Sequence, residues 1–196
     1  REKIDRIATE LKNTLICVDE AWGEYVDGWD EQYSAINLLT KHKNILVVRT
    51  FSKYYGMAGL TLGYVLGSEE LITPLNHIRL EFPISGIAEK LATLVLKNRD
   101  CYTDYNAKIK SEMKRVSKAL EQLRSLQHIP SQTSIITVRH KEKNLYEELL
   151  TQGILVSDFS DVQGLKGKQY ARITIYTDAK KNDKLLEALQ KIDQTF

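Results

Sequence analysis

Ile45-Leu46-Val47-Val48-Arg49-Thr50-Phe51-Ser52-Lys53 joins an apolar run to a polar loop. A second apolar run, residues 15–18, leads in the same way into Asp19. Short apolar runs between polar segments are typical of the buried strands of an α/β sheet. Because side chains that follow neighbouring strands meet at one edge of such a sheet, we expect Asp19 and Lys53 to share a crevice.

Helical periodicity surrounds these two strands. Apolar residues at positions 4, 7, 8 and 11 predict an amphipathic helix at the start of the chain. A short helix over residues 34–42 separates the strands, and a third strand is expected over residues 61–66. The order α, β, α, β, loop, β predicts part of an α/β sheet.

The remainder of the chain predicts a second α/β part beyond a helical stretch. A helix that starts near Ser68 is expected to break or kink at Pro74. The apolar spacing then predicts two helices, over residues 84–98 and 102–123. The unit that follows is expected to have strands over 135–138, 154–156 and 170–176 and helices over 142–152 and 179–192. We therefore assign residues 1–80 to one domain, 81–112 to linking helices and 113–196 to a small α+β domain.

Composition limits the classes of partner. Lys and Arg number 28 against 26 Asp and Glu, so the formal charge of +2 argues against nucleic acid or an anionic membrane as the main partner. No apolar run approaches the length of roughly 18 to 20 residues that spans a bilayer. The two cysteines make no disulfide framework, and Cys17 is expected to pack inside its strand as a reduced thiol. These features predict a cytoplasmic protein.

A lysine and an acid at one sheet edge suggest a particular chemistry. A lysine there can form a Schiff base, and an acid there can pair with a cationic ring nitrogen. Taken alone, Asp19 and Lys53 are more simply explained as two solvated charges, because both residue types are common in loops.

Three further strings carry a family resemblance. They are Val18-Asp19-Glu20-Ala21-Trp22, the loop of residues 49–60, and Tyr170-Ala171-Arg172-Ile173-Thr174-Ile175. Together and in this order they resemble the class I/II aminotransferases, which are pyridoxal-phosphate enzymes of fold type I, and among these the histidinol-phosphate aminotransferase-like group. The resemblance covers almost the whole chain, and it implies part of the aminotransferase large-domain sheet followed by the small carboxyl-terminal domain.

The resemblance also implies roles for individual residues. Lys53 would form the Schiff base and move the proton between the substrate and the cofactor, while Asp19 would keep the pyridine nitrogen protonated. Thr50 and Ser52 match positions whose hydroxyls bind the cofactor phosphate, and Arg172 matches the arginine that holds the substrate's anionic group. The implied partners are a small-molecule amino donor and a 2-oxo acid, within a homodimer.

The sequence departs from the family pattern at four positions. Thr61 stands where a phosphate-binding arginine is usual, and Trp22 replaces a tyrosine that donates to the cofactor's phenolic oxygen. Ser157 replaces an arginine, and Ser134 departs from a Ser-x-x-Asn pattern. Family members carry a comparable length of sequence before the part that matches, and the chain does not begin with Met. The chain by itself is therefore expected to be an inactive carboxyl-terminal portion.

Two alternatives to an aminotransferase stay open. Gly164 and Leu165 also resemble the loop of threonine-phosphate decarboxylase, and the four departures suit a non-catalytic effector domain of a transcription regulator. A metal site is not predicted, because the four histidines lie in separate segments without ligand spacing. The acids of residues 20–31 are interpreted as a solvated acidic loop.

Overall fold

A computed structural model describes residues 1–81 and 83–196. The chain divides into two compact units, Arg1–Tyr102 and Thr103–Phe196. Among the described residues, none of the helices combines the length and the apolar character needed to cross a membrane. The assignment of residues 81–112 to linking helices stays a prediction.

The first unit contains a three-stranded sheet with helices before and after it. Its elements are α1 (Glu2–Glu10), β1 (Ile16–Asp19), β2 (Ile45–Thr50), β3 (Gly63–Gly67), α2 (Glu69–Ile78) and α3 (Gly86–Lys97). The strand order is β1-β2-β3, with β1 parallel and β3 antiparallel to β2. The predicted first helix and the three strands are confirmed with shifted bounds, whereas the helix expected over residues 34–42 is only the 3-10 turn Ala35–Leu38.

Strand β1 is less buried than the sequence predicted. Ile16 and Val18 are half-buried against the cluster that contains Ala8, Ala35 and Val47, whereas Cys17 is exposed and Leu15 is 55% exposed. Successive side chains of a strand point to opposite faces, and in β1 only one face packs against this cluster. The expectation of a packed Cys17 thiol was therefore wrong.

Helix α2 continues through Pro74 instead of breaking there. Proline lacks the backbone N–H that would bond to the carbonyl of Glu70, four residues earlier. Glu70 is exposed and no described side chain of α2 is buried, so water can satisfy that carbonyl. The proline thus removes one helical hydrogen bond without ending the helix.

The second unit is a four-stranded antiparallel sheet with three helices. Helix α4 (Asp100–Leu120) leads into it, followed by β4 (Leu126–Ile129), β5 (Ile135–His140), α5 (Leu145–Thr151), β6 (Ser157–Asp158), β7 (Tyr170–Thr174) and α6 (Ala179–Gln194). The strand order is β4-β5-β7-β6. The sequence missed β4, and it placed a strand at residues 154–156, just before the two residues that actually pair.

A single apolar core fills the second unit. It joins one face of α4, the inward residues of β5 and β7, and the buried side of α6, with Val116, Val138, Ala171 and Leu189 fully buried. The inward residues alternate along the strands, as the burial pattern of Ile135–His140 shows. Both sheets together confirm the predicted fold class, part of an α/β sheet followed by an α+β unit.

Candidate functional site

The candidate site in the first unit lies where the parallel strands β1 and β2 end. Asp19 is the last residue of β1 and lies opposite Val48, so Thr50 and the loop after it follow at the same edge of the sheet. The Asp19 side chain is exposed at this edge, and its Oδ1 accepts the backbone N–H of Ala21 at 2.9 Å. That hydrogen bond fixes the start of the loop and leaves Oδ2 available to a ligand.

Lys53 lies against the loop that follows Asp19. Its Nζ is 5.3 Å from the centre of the Trp22 ring, and the Tyr25 hydroxyl donates to the Lys53 carbonyl at 3.3 Å. A cation at this distance from an indole face is attracted by the ring electrons. The structure therefore brings together the predicted site residues Asp19, Trp22, Thr50 and Lys53 at one sheet edge.

The turn between Thr50 and Lys53 is held by the Thr50 side chain. Its hydroxyl donates to the carbonyl of Leu62 at 3.1 Å and accepts the backbone N–H of Ser52 at 3.0 Å. In this arrangement Thr50 orders the loop, and its proton is already directed to Leu62. Among the described residues the Ser52 hydroxyl has no hydrogen-bond partner, so it is the freer donor of the two predicted phosphate ligands.

Thr61 reaches the same edge because β3 runs antiparallel to β2 and pairs Gly63 with Thr50. Thr61 follows a 3-10 turn, Ala58–Leu60, and its φ of 48° lies in the left-handed region. A β-branched side chain is strained there. The exposed residue at this position thus offers one neutral hydroxyl where the family resemblance leads one to expect a guanidinium.

A buried ion-pair network lies beneath the loop. Glu20 is 3% exposed and Arg49 is 5% exposed, and Arg49 Nη2 donates to Glu20 Oε2 at 2.9 Å and to Asp30 Oδ1 at 2.5 Å. Ser34 and the backbone N–H of Ala35 also donate to the Glu20 carboxylate, at 2.8 and 2.7 Å. Burial opposes the Arg49 charge, yet the hydrogen bonds that Arg49 donates to Asp30 and Glu20 hold its pKa above the ordinary value.

Sequence reasoning missed this network. It treated the acids of residues 20–31 as a solvated loop, which is wrong for Glu20. The available signal was Arg49 itself, because a cation that directly extends a buried apolar strand needs a buried partner. The network links the end of β2 to the loop after β1. It therefore stabilises the two backbone segments that bear Asp19 and Lys53.

Glu24 is a further titratable group near Arg49. Its Oε2 atom is buried and has no hydrogen-bond partner among the described residues. Burial raises the pKa of this carboxyl, against the opposing effect of the Arg49 and Arg99 cations. A carboxyl in this setting holds its proton to a higher pH than a solvated one does.

An aromatic cluster packs around the residues that follow Lys53. Tyr54 contacts the rings of Tyr25, Tyr55 and Tyr102 at centroid distances of 5.3, 5.1 and 6.0 Å. Burial raises the pKa of both Tyr54 and Tyr55, so their phenols stay protonated through the neutral range. The cluster fixes the backbone of the residues that directly follow Lys53.

Arg172 belongs to the second unit, where it lies on β7. It is half-buried, its Nη2 donates to Ser157 Oγ at 3.3 Å, and its guanidinium carbon is 5.5 Å from the centre of the Phe159 ring. The ladder pairs Ser157 with Arg172 across β6 and β7, which places the hydroxyl beside the guanidinium. The planar fork keeps further N–H donors for an anion.

Residues 1–189 match the family described as aminotransferase class I and II. The chain belongs to the class I and II aminotransferases. Histidinol-phosphate aminotransferase 2 of Archaeoglobus fulgidus is 32% identical over 192 residues, which are 98% of this chain and 53% of that protein. The aminotransferase chain thus spans about half the length of the curated relatives it matches.

Solved structures show the same fold. The histidinol-phosphate aminotransferase from Clostridium acetobutylicum superposes on the whole aminotransferase chain with a TM-score of 0.90 at 23% identity. The superposed part is 60% of that structure. A second match is the histidinol-phosphate aminotransferase from Sinorhizobium meliloti, solved in complex with pyridoxal-5'-phosphate, with a TM-score of 0.85 and 27% identity. This match covers 99% of our chain and 53% of that structure. The predicted resemblance to pyridoxal-phosphate-dependent aminotransferases is therefore confirmed.

The side chains of the first unit fit pyridoxal phosphate in the chemistry of their donors and acceptors. An exposed carboxylate, Asp19, suits a protonated ring nitrogen, and an exposed amine, Lys53, suits the cofactor's aldehyde. The Ser52 hydroxyl suits one phosphate oxygen. The residues predicted to bind the phosphate include fewer cations than the family pattern does, because Thr61 is neutral.

Proposed function

We propose that the chain supplies the lysine, the ring-nitrogen carboxylate and the substrate arginine of a pyridoxal-phosphate-dependent aminotransferase. The reaction would move an amino group between an amino acid or amino-phosphate substrate and a 2-oxo acid. The observation that carries this proposal is the placement of Lys53 Nζ beside Trp22 at the sheet edge that also holds Asp19. Family membership supports the same class of chemistry.

Asp19 acts in this proposal as a fixed negative charge. Pyridoxal phosphate, when bound, supplies an electron sink whose strength depends on a protonated ring nitrogen. The Ala21 N–H holds one oxygen of the Asp19 carboxylate in place, so the second oxygen can accept the ring N–H. A carboxylate beside that nitrogen raises the nitrogen's proton affinity and keeps it charged.

Lys53 is the proton carrier in this proposal. With the cofactor bound, its amine would take the proton from the substrate carbon that bears the amino group and pass that proton to the cofactor. The Tyr25 hydroxyl holds the Lys53 backbone, and the Trp22 ring limits the volume that Nζ can explore. Both contacts lower the entropy that Lys53 loses on reaching its working position.

Arg172 holds the substrate's anionic group in the proposal. Its fork can bind a carboxylate or phosphate through two parallel hydrogen bonds, which a lysine cannot reproduce. We expect the complete protein to work as a cytoplasmic homodimer. Because the chain spans about half the length of its relatives, we expect it to hold the cofactor more weakly by itself than as part of the complete protein.

The test is a cofactor titration of the complete protein that contains this chain. We expect a saturable absorption change on adding pyridoxal phosphate, together with amino transfer, and we expect Lys53→Ala to remove both. Lys3→Ala, which removes an exposed lysine of α1, is the matched control and should leave both unchanged. Amino transfer that survives in Lys53→Ala would overturn the proposal, and release of carbon dioxide without amino transfer would indicate a decarboxylase instead.

A further inference from the structure

A pocket of about 300 Å³ lies wholly within the second unit, beside Arg172. It is lined by residues 154–157, by β7 and the residues just after it, and by the start of α6. The volume corresponds to roughly ten water molecules at about 30 Å³ each. It is thus large enough for a phosphate-sized group and small for a whole cofactor.

Two positive side chains line this pocket from different elements. Arg172 comes from β7 and Lys181 comes from α6, and the other described lining residues are uncharged. Lys181 Nζ lies 4.8 Å from the centre of the Tyr176 ring. Within residues 1–81 and 83–196, neither cation makes an ion pair with a carboxylate.

The acids near the start of α6 already have partners and do not line the pocket. Asp178 caps the helix, where its carboxylate accepts the backbone N–H of Lys180 at 3.0 Å. Asp183 accepts from Arg115 at 2.8 Å, and Glu112 accepts from Arg115 at 2.7 Å and from Asn182 at 2.7 Å. The Arg115 hydrogen bond is the main cause that lowers the pKa of Glu112, so this carboxylate stays ionised with its own partner. These acids do not neutralise the two cations that line the pocket.

We propose that Arg172 and Lys181 together bind a doubly charged oxyanion of the substrate in this pocket, which makes Lys181 a specificity-determining residue. Two like charges that face one small cavity repel each other, and a dianion between them turns that repulsion into attraction. The inference rests on the proposed function for the substrate role of Arg172, and it adds a second cation with a different geometry.

The polar groups of the pocket match the shape of such an anion. Arg172 offers a planar fork that suits two oxygens, and Lys181 offers a point charge that suits a third. The Ser157 hydroxyl, which already accepts from Arg172, can direct its own proton into the pocket. A phosphate monoester and a second carboxylate share this chemistry, and the probes of the test separate them.

The test is an NMR titration of the 196-residue chain without cofactor, so that its outcome is independent of catalysis. The probes are inorganic phosphate at pH 8, succinate and acetate. We expect saturable shifts at Arg172, Thr174 and Lys181 with phosphate, and at least tenfold weaker binding of acetate. Tighter binding of succinate than of phosphate would assign the pocket to a dicarboxylate, still a doubly charged oxyanion.

Lys181→Gln should weaken phosphate binding by about fivefold or more, because one of the two charges is lost. Lys180→Gln is the matched control, since Lys180 is the exposed neighbour that does not line the pocket, and it should change the affinity by less than about twofold. Equal binding in Lys181→Gln and the parent chain, or shifts spread over many exposed lysines, would overturn the inference.

The complete protein provides a second readout. If it catalyses amino transfer, Lys181→Gln should raise KM for doubly anionic amino donors and leave KM for neutral-side-chain donors unchanged. An equal rise for both donors would mean that Lys181 has only a structural role. Failure of amino transfer alone would count against the proposed function and leave the phosphate titration as the deciding measurement.

Discussion

The two units of the chain place their charges differently. In the first unit a glutamate–arginine pair, Glu20 and Arg49, is buried beneath the site, and the apolar residues are split between two small clusters. In the second unit the comparable pair, Glu112 and Arg115, lies on α4 with its side chains 15% and 40% exposed, and one continuous apolar core fills the interior. The difference teaches that a buried ion pair helps to hold the loops of the candidate site, whereas the second unit is held by packing.

The largest expected effect is on the buried pair. Among the described residues Glu20→Ala leaves the buried Arg49 charge with Asp30 as its one ionic partner, and breaking a buried pair typically costs about 3 to 5 kcal/mol. The comparison in the second unit is Arg115→Ala. Arg115 is 40% exposed and Glu112 keeps its hydrogen bond from Asn182, so this change should cost about 1 kcal/mol or less. Urea unfolding of both variants measures the difference, and equal losses would contradict the comparison.

The next effect tests packing in the second unit. Leu189 is fully buried in α6, and Leu189→Ala should lower the free energy of unfolding by about 3 kcal/mol through lost apolar contacts and a cavity. Leu150→Ala, at a leucine that is 47% exposed, should change it by about 0.5 kcal/mol or less. Hydrogen exchange should show the loss confined to amides of the second unit. A loss spread evenly over both units would mean that the two units unfold as one.

Acid should weaken the second unit through His140. This imidazole is buried, its Nδ1 accepts the backbone N–H groups of Glu142 and Lys143, and burial lowers its pKa. The folded state therefore favours the neutral ring, and its contribution to stability is present above pH 6.5 and is lost as the pH falls through the lowered pKa. His140→Asn keeps an acceptor but does not titrate, so its unfolding free energy should lose this part of the pH dependence. An unchanged pH profile would exclude His140 as the cause.

The smallest effect compares two strained residues. Thr61 and Gln169 both have positive φ angles, 48° and 56°, one in each unit. Thr61→Asn should stabilise the chain by about 1 kcal/mol, since asparagine tolerates the left-handed region better than a β-branched residue. Gln169→Asn should gain less, because glutamine is not β-branched. Thermal unfolding gives both values, and a larger gain at Gln169 would show that branching at Thr61 is not the source of the strain.

The parts that could be predicted from the sequence are those that depend on neighbours along the chain. The loop that carries Lys53 follows directly from an apolar strand, and the amphipathic spacing of α1 and α4 is local. The exposure of Cys17 and the pairing of Glu20 with Arg49 depend on which strands and faces meet, so no local pattern contains them. Whether Pro74 ends α2 could not be predicted from the sequence, because that depends on whether the freed carbonyl can reach water.

The candidate site divides in the same way. The strand order predicted Asp19 and Lys53, and the family resemblance added Trp22 and Thr50. The structure places these residues at one edge because parallel strands end together. The commitment of the Thr50 hydroxyl to Leu62 could not be predicted, since it depends on the antiparallel return of β3. The pocket around Lys181 depends on how α6 packs beside β7, which the periodicity of α6 alone does not reveal.

The close packing of Trp29 has an optical consequence. A Cβ atom on Gly23 would lie 2.4 Å from the indole nitrogen of Trp29, which donates to Glu20 at 3.0 Å, so this ring is locked to the buried ion pair. The chain has two tryptophans, Trp22 and Trp29, and both lie in the loop after β1. The tryptophan fluorescence of the chain therefore arises from the site loop. Changes in emission report on the order of this loop directly, while the second unit contributes no indole signal.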